Sequence, residues 1–335
     1  MNDIVSKSLE AVKKAHNNTL GFEQIFSADA PYGKNQFLMF IKPEIMLDSS
    51  KLKTKDMIEL VLEKIKEFGL TIHDVKALGA EYLDQNNIIA QHYGVINKLA
   101  TDAKGTLAQS AKEKFKELYE KDVADVNLMG GIEFLKAYPE FTPYTADILW
   151  QAKPSKKLAG GTYVEDIKLD DETIYLVNGF HARQIHHFTQ KGRAIIILTL
   201  SGDTTWEKVR DDMIGNTFPE KAVGGSLRGT FLARKDEFGL PEVGIANNGV
   251  HLSAGPIEGL IELIRYNSDF SAKNLKTAKD YPFGQKLIET FGEATTDKIL
   301  SNPNVDVDGK QVSVFDLTEL KDADEAVDIL KKYFA

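Results

Sequence analysis

The sequence predicts an α/β (α+β) fold, and three features carry that expectation. Strand, helix, strand and helix patterns alternate over the first hundred residues. AIIILTL (194–200) is apolar on both faces, as a central strand is. The run GPIEGLIELIRYN, opened by Pro256, then has helical spacing.

Taken in order, residues 3–15 read as a helix with Ile4, Val5, Leu9 and Val12 roughly on one stripe. NQFLMFIKPE (35–44) reads as a buried strand stopped by Pro43, which has no N–H for a ladder. In 53–69, Met57, Leu60, Val61, Ile65 and Phe68 line one side of an amphipathic helix, and Gly69 ends it. LTIHDVKAL (70–78) alternates as a strand, and 81–100 returns to helical spacing. A charged helix over 109–122 leads into short aromatic and Gly-rich segments, the strand TIYLVNGF (173–180) and the His-rich HARQIHHFTQK. After AIIILTL come a short helix (WEKVRDDMIGN), a Gly-rich loop (FPEKAVGGSLRGTF) and a hairpin (TFLARKDEFGLPEVGIAN). Ile257, Leu260, Ile261 and Ile264 then mark one helix face. The last 65 or so residues read as helical PFGQKLIETFG, a strand in KQVSVFDL and a helix in ADEAVDILKKYF.

Composition excludes several classes of function. At 335 residues the chain is long enough for about two domains, and 42% hydrophobic with 27% charged residues is ordinary for a folded core. Having no cysteine, it has no disulfides, thiolate catalysis or sulfur-ligated zinc. The polar N-terminal stretch lacks the apolar core of a signal peptide, and the longest apolar run is too short for a bilayer. The expectation is a cytoplasmic protein with no membrane partner. A net charge of −9 argues against nucleic acid as a partner, because phosphates are repelled by the average surface.

ANNGVHLSAG (246–255) places His251 among small, turn-prone residues just before a helix start. The reading is an imidazole in the open mouth of a turn, reachable by a bulky anion that free helix N–H groups also favour. The chain has no G-x-x-x-x-G-K-[ST] and no G-x-G-x-x-G motif, so nucleotide phosphates would be met by side chains. Lys42, Arg228 and Arg210 supply charge for that role, and Thr217, Tyr93 and Asn248 supply neutral hydrogen bonds. Each also has a plainer reading when taken alone. Lys42 fits a snorkelling lysine, Thr217 a cap, Tyr93 a core residue, Arg228 a salt bridge and Glu262 a solvated helix position.

Four stretches resemble the nucleoside diphosphate kinase family: FIKPE (40–44), QHY (91–93), MIGNTFPEKAVGGSLRGTF (213–231) and NGVHLS (248–253), with Glu262 eleven positions after His251. Each is weak alone, but together they follow the family's order and spacing over about two-fifths of the chain. The resemblance implies an antiparallel ferredoxin-like β-α-β-β-α-β core with an inserted segment and a C-terminal extension. In that arrangement 1–35 is an N-terminal helical segment, 36–93 and 191–270 are the two halves of the core, 94–190 is the insertion and 271–335 the extension. It implies transfer of a γ-phosphate from ATP or another nucleoside triphosphate to a nucleoside diphosphate, by a ping-pong mechanism through phosphohistidine at His251. Glu262 and Ser253 would support the imidazole. Lys42, Tyr93, Arg210, Thr217, Arg228 and Asn248 would bind nucleotide, and Mg²⁺ would be carried on its phosphates rather than by a protein metal site. Family members commonly assemble as hexamers or tetramers built from dimers, so the expectation admits a homo-oligomer.

The chain departs from the family pattern at Ala254, which replaces an acid, at Asp211, which replaces an arginine now one position away as Arg210, and at Glu44, which replaces aspartate. Those departures keep a second reading in view, a catalytically silent nucleotide-binding or protein-interaction module. Within the inserted segment, His181, His186 and His187 form a weaker metal candidate. Arg183 and Phe188 on the same helix are candidates for touching nucleotide.

Overall fold

The computed structural model describes residues 1–334, which form two compact units. One contains Met1–Asn86 with the chain from Lys191 onward, and the other contains Asn87–Gln190. The elements of the first unit used below are α1 (Asn2–His16), β1 (Phe22–Ser27), β2 (Asn35–Ile41), α2 (Thr54–Glu67), β3 (Thr71–Gly79), β4 (Ala194–Gly202), α3 (Leu227–Ala233), β5 (Val250–Leu252), α4 (Pro256–Asn267), α5 (Pro282–Phe291), α6 (Glu293–Leu300) and α7 (Ala323–Phe334).

Its main sheet has five strands in the order β1, β3, β4, β2, β5, and every neighbouring pair is antiparallel. Leaving out the added edge strand β1, the chain order β2-α2-β3-β4-helix-β5 gives a sheet in which β4 and β2 are central. That is the ferredoxin-like arrangement. The central strands are apolar throughout because both faces are covered; all seven residues of β2 and all nine of β4 are buried.

The two sheet faces differ in chemistry. One carries Phe37, Met39, Ile41, Val75, Ala77, Ile196 and Leu198, which join the main core with buried residues of α1 and α2. On the other face, strand pairing aligns Lys76, Ile197, Phe40 and His251 in one row across four strands. Helix α4 lies on this row. Its Glu262 meets His251, the Tyr266 ring lies 5.5 Å from that of Phe40, and Asn267 Oδ1 accepts from Lys76 Nζ at 2.6 Å. Asn267 Nδ2 also donates to Thr199 Oγ1 at 2.9 Å. Burial holds the Lys76 amine below the ordinary lysine range, with Asp74 partly opposing that shift.

Helix α4 is therefore turned differently from its predicted apolar stripe. Ile257 and Leu260 are buried, but Ile261 and Ile264 are only half-buried, while Gly259, Glu262 and Tyr266 are buried instead. Hydrogen bonding to the row of polar and aromatic groups decides the rotation.

Other elements also differ from expectation. The predicted hairpin after residue 229 is two helical segments, α3 and Lys235–Phe238, because Ser226 caps α3 and Gly239 at φ +71° closes the second. The helical run 81–100 breaks into Ala80–Gln85, Ile88–His92 and Gly94–Thr101, with Asn87 left-handed at φ 52°. Strand β1 has no apolar alternation that predicts it, since Ile25 is its one buried residue. The KQVSVFDL strand stops at Ser313, whose hydroxyl caps a short helix at Asp316 N, 3.1 Å away.

The second unit has its own four-stranded sheet, in the order Asn127–Gly130, Glu172–Val177, Thr162–Leu169, Lys156–Ala159. The first pair is parallel and the others antiparallel. Phe115, Val164 and Tyr175 lie in one of its core clusters, and Phe134, Ile167, Ile174 and Leu176 lie in another. Among the described residues, no helix is long and apolar enough to cross a membrane.

Gly79 ends β3 where an added Cβ would stand 2.0 Å from the Leu20 carbonyl oxygen. Gly79→Ala therefore forces backbone apart and is expected to cost about 1–3 kcal/mol. A lowered urea midpoint at unchanged m-value is the expected result.

Candidate active site

His251 sits on a strand, not in the mouth of a turn. It is the middle residue of β5, paired with Phe40, and its ring stacks on the Phe40 ring at 4.5 Å and 22°. The turn ends two positions earlier, at Gly249 with φ +83°. The small residues around His251 also have packing causes. A Cβ on Gly249 would stand 2.5 Å from the Phe231 ring, and one on Gly255 would stand 2.5 Å from the Thr318 carbonyl oxygen.

The imidazole is oriented by a buried carboxylate. His251 Nε2 lies 2.9 Å from Glu262 Oε2 and 3.1 Å from Oε1. The Glu262 side chain is 2% exposed and that of His251 20%. A carboxylate only accepts, so Nε2 carries the proton and the neutral ring has its lone pair on Nδ1. Ser253 Oγ is 2.5 Å from Glu262 Oε2 and 3.2 Å from the Leu38 carbonyl. Having one proton, the hydroxyl gives it to the nearer, charged acceptor. Glu262 is therefore not a solvated helix residue.

The strand itself is held by two arginines. Antiparallel pairing points Gly249 O and Ser253 N toward β2, where they bond Lys42 N and Leu38 O. The carbonyls of residues 250 and 252 therefore face away from β2, and each accepts a guanidinium N–H. Arg228 Nη2 is 3.0 Å from Val250 O, and Arg210 Nη1 is 2.6 Å from Leu252 O. Arg228 is buried in α3 and also bonds Gly215 O at 3.0 Å. Arg228 thus clamps two carbonyls, Gly215 O and Val250 O.

Lys42 and Asn248 organise the preceding turn. Lys42 Nζ donates to Ala246 O at 2.5 Å and to Asn248 Oδ1 at 3.1 Å, and lies 3.6 Å from Glu44 Oε1. Buried rather than snorkelling, its amine is pushed below the ordinary lysine value by desolvation. Glu44 opposes that shift, and Arg228 adds to it. Asn248 Nδ2 reaches Thr217 O at 3.3 Å and Ile245 O at 3.2 Å, and the Thr217 side chain is exposed.

Eight of the nine sequence candidates thus belong to one connected set: Lys42, Arg210, Thr217, Arg228, Asn248, His251, Ser253 and Glu262. The ninth, Tyr93, lies in the second unit. It is half-buried there, with its ring edge-on to His92 at 4.6 Å and to His181 at 6.0 Å.

Three contributors to the first-unit set have no site role assigned from sequence, although Glu44 and Phe40 lie within the FIKPE stretch. Glu44 Oε1 accepts from Gly249 N at 2.8 Å, and Glu258 Oε2 from Ala254 N at 2.5 Å. Phe40 supplies the floor under His251. Glu258 has a local signal, an acid in the first helical turn, whereas Phe40 joins the set through strand pairing and Glu44 through its side-chain bond to Gly249.

The His-rich segment of the second unit forms the helix His181–Thr189. Phe188 is 2% exposed, and Arg183 Nη1 bonds Asp147 Oδ2 at 2.5 Å with its guanidinium over the Tyr144 ring. Its His181 is a hydrogen-bonded core histidine, 2.9 Å from Gln184 Oε1 and 3.2 Å from Asn97 Oδ1.

No protein-family model and no curated protein sequence matches the chain. Among solved structures, it is similar to a nucleoside diphosphate kinase from Encephalitozoon cuniculi (12% identity, 70% of this chain and 90% of that one, TM-score 0.34). It is also similar to an NDP kinase from Pyrobaculum aerophilum (19%, 73% and 100%, TM-score 0.34). A third is the nucleoside-diphosphate kinase from Borrelia burgdorferi with bound vanadate and ADP (14%, 72% and 90%, TM-score 0.32). The fold assignment rests on this chain's own sheet order.

Burial lowers the pKa of His181 below its ordinary 6.5, with Gln184 partly opposing. The unfolded chain then binds the proton more readily, so this contribution to stability is full above pH 6.5 and is lost as pH falls through the lower folded value. His181→Gln should flatten the acid side of the stability profile, read as the difference in urea midpoint between pH 7.5 and 5.5.

Proposed function

We propose that this protein is a phosphotransferase of the nucleoside diphosphate kinase type, with His251 as the group that carries the phosphate. The observation that supports it most is the His251–Glu262–Ser253 chain, which fixes the imidazole with Nδ1 as its nucleophilic nitrogen. The guanidinium groups of Arg210 and Arg228, on the carbonyls either side of His251, add positive charge where a phosphoryl group would arrive.

In this reading the Nδ1 lone pair attacks the γ-phosphorus of a nucleoside triphosphate. An N–P bond forms, the bond from the bridging oxygen to the γ-phosphorus breaks, and the diphosphate leaves with the electron pair. Nε2–H stays on Glu262, whose negative charge offsets the positive charge on the ring. A terminal phosphate oxygen of a second nucleoside diphosphate then attacks the same phosphorus, and the imidazole leaves. Lys42 and Asn248 hold the turn before the strand, while Thr217 presents an exposed hydroxyl to the nucleotide. Arg210 and Arg228 act through charge and through the strand they clamp.

The carboxylates near His251 each have protein partners. Glu44 accepts from Gly249, Glu258 from Ala254, and Glu262 from His251 and Ser253. Such a donor set suits Mg²⁺ carried by the nucleotide's own phosphates, where it neutralises their charge. The same clamp contacts, all directed to backbone, also motivate the second reading, a nucleotide-binding module without turnover.

Intact-mass measurement after mixing with MgATP at neutral to alkaline pH distinguishes the two. An acid-labile gain of one phosphoryl group, absent in His251→Ala and discharged by a nucleoside diphosphate, is the result expected of the kinase. Nucleotide binding with no such adduct sinks it in favour of the silent module.

Lys42 yields a pH prediction. Its lowered pKa means the ammonium charge is lost below the ordinary lysine value of 10.5, so nucleotide affinity should fall at correspondingly lower pH. Over that window the unfolded chain binds more protons than the native one, so the lysine's contribution to stability rises with pH and unfolding does not mimic the loss. Lys42→Arg, which keeps its charge, should shift the alkaline fall upward in a nucleotide titration followed across pH.

A further inference from the structure

The stretch that follows the C-terminal helical pair α5–α6 and its hairpin returns to the His251 region at two places. Leu320 N donates to Ala254 O at 3.0 Å, one residue beyond Ser253. Leu320 makes that bond from the left-handed region, with φ +59°, where a leucine is strained by roughly 1–2 kcal/mol. The preceding Thr318 carbonyl oxygen lies where a side chain at residue 255 would be, so Gly255 admits this close approach.

The second contact runs through Asp322. Its Oδ1 accepts from Trp206 N and from Asn35 Nδ2, each at 3.0 Å, and Ala323 N donates back to Asn35 Oδ1 at 2.9 Å. The indole of Trp206 is fully buried, with its ring 4.4 Å from that of Phe37. It packs on α4 at Gly259, where an added Cβ would meet ring carbon Cη2 at 3.0 Å. Gly259 is three residues, under one helical turn, before Glu262.

We propose that Asp322 is a positioning residue for His251. Through Trp206 and Gly259 it fixes the height of α4 above the sheet, and so the Nε2–Glu262 geometry, while the Leu320–Ala254 bond fixes the Ser253 end. The C-terminal extension is then a working part of the site. The catalytic consequence rests on the phosphotransferase reading, but the imidazole geometry does not.

The test follows the imidazole nitrogens of His251 by NMR in the full chain labelled with ¹⁵N-histidine, the signals being assigned by their absence in His251→Ala. Wild type should show the Nε2–H tautomer. Asp322→Ala should show mixed tautomers, with phosphoryl uptake slower by at least about tenfold at unchanged nucleotide KM. Asp322→Asn keeps an acceptor oxygen while losing the charge facing Lys34, 3.5 Å away, and should restore the wild-type signals. Gly259→Ala, which presses on Trp206 with the extension intact, should perturb them as Asp322→Ala does, and it decides the matter if Asp322→Ala fails to fold. Wild-type His251 signals in Asp322→Ala or, failing that, in Gly259→Ala overturn the proposal, as does an equal shift in Asp322→Asn. Wild-type protein that takes up no phosphoryl group sinks the kinase reading alone, because the imidazole signals still decide the positioning role.

Discussion

A carboxylate taken out of water must be met by hydrogen-bond donors, and Glu262 is the group on which the site depends in this sense. At 2% exposure, its desolvation is offset by the imidazole N–H of His251 and the hydroxyl of Ser253. Those two donors lie on β5 and just after it, while Glu262 lies on α4, so meeting the carboxylate's needs locks helix to strand. The same contacts orient the imidazole. Packing and chemistry here are two descriptions of one set of bonds.

The rest of the sheet face extends that constraint. Tyr266 over Phe40 and Asn267 on Lys76 continue the contacts of α4 across the sheet, and Trp206 supports it at Gly259. Moving α4 would uncover a buried lysine, a buried carboxylate and an indole together. Such coupled polar groups specify one arrangement more sharply than an apolar stripe would.

Local patterns carried much of this into view. The strands β2, β3 and β4, the helices α1, α2 and α4, and the terminal helix all follow from apolar spacing, helped at β2, α2 and α4 by Pro43, Gly69 and Pro256. Eight of the first-unit candidates came from short motifs and meet in space. The misses have a common cause. Glu44, Phe40 and Asp322 matter because of residues 205, 211 and 116 or more positions away, and no local window contains both partners. The hairpin expected after residue 229 failed for another reason, since Ser226 and Gly239 are helix caps read as loop residues. The apolar stripe of α4 misled because buried polar partners, not hydrophobicity, set its rotation.

The two arginine clamps have a consequence for self-association. Strand β5 lies at one end of the sheet, where outward carbonyls ordinarily offer a template for pairing with another chain. Here the carbonyls of Val250 and Leu252 are already taken by guanidinium groups rooted in this same chain. A strand from a neighbouring molecule would have to displace both arginines before it could dock. The margin that bears His251 is thus closed to growth by strand addition.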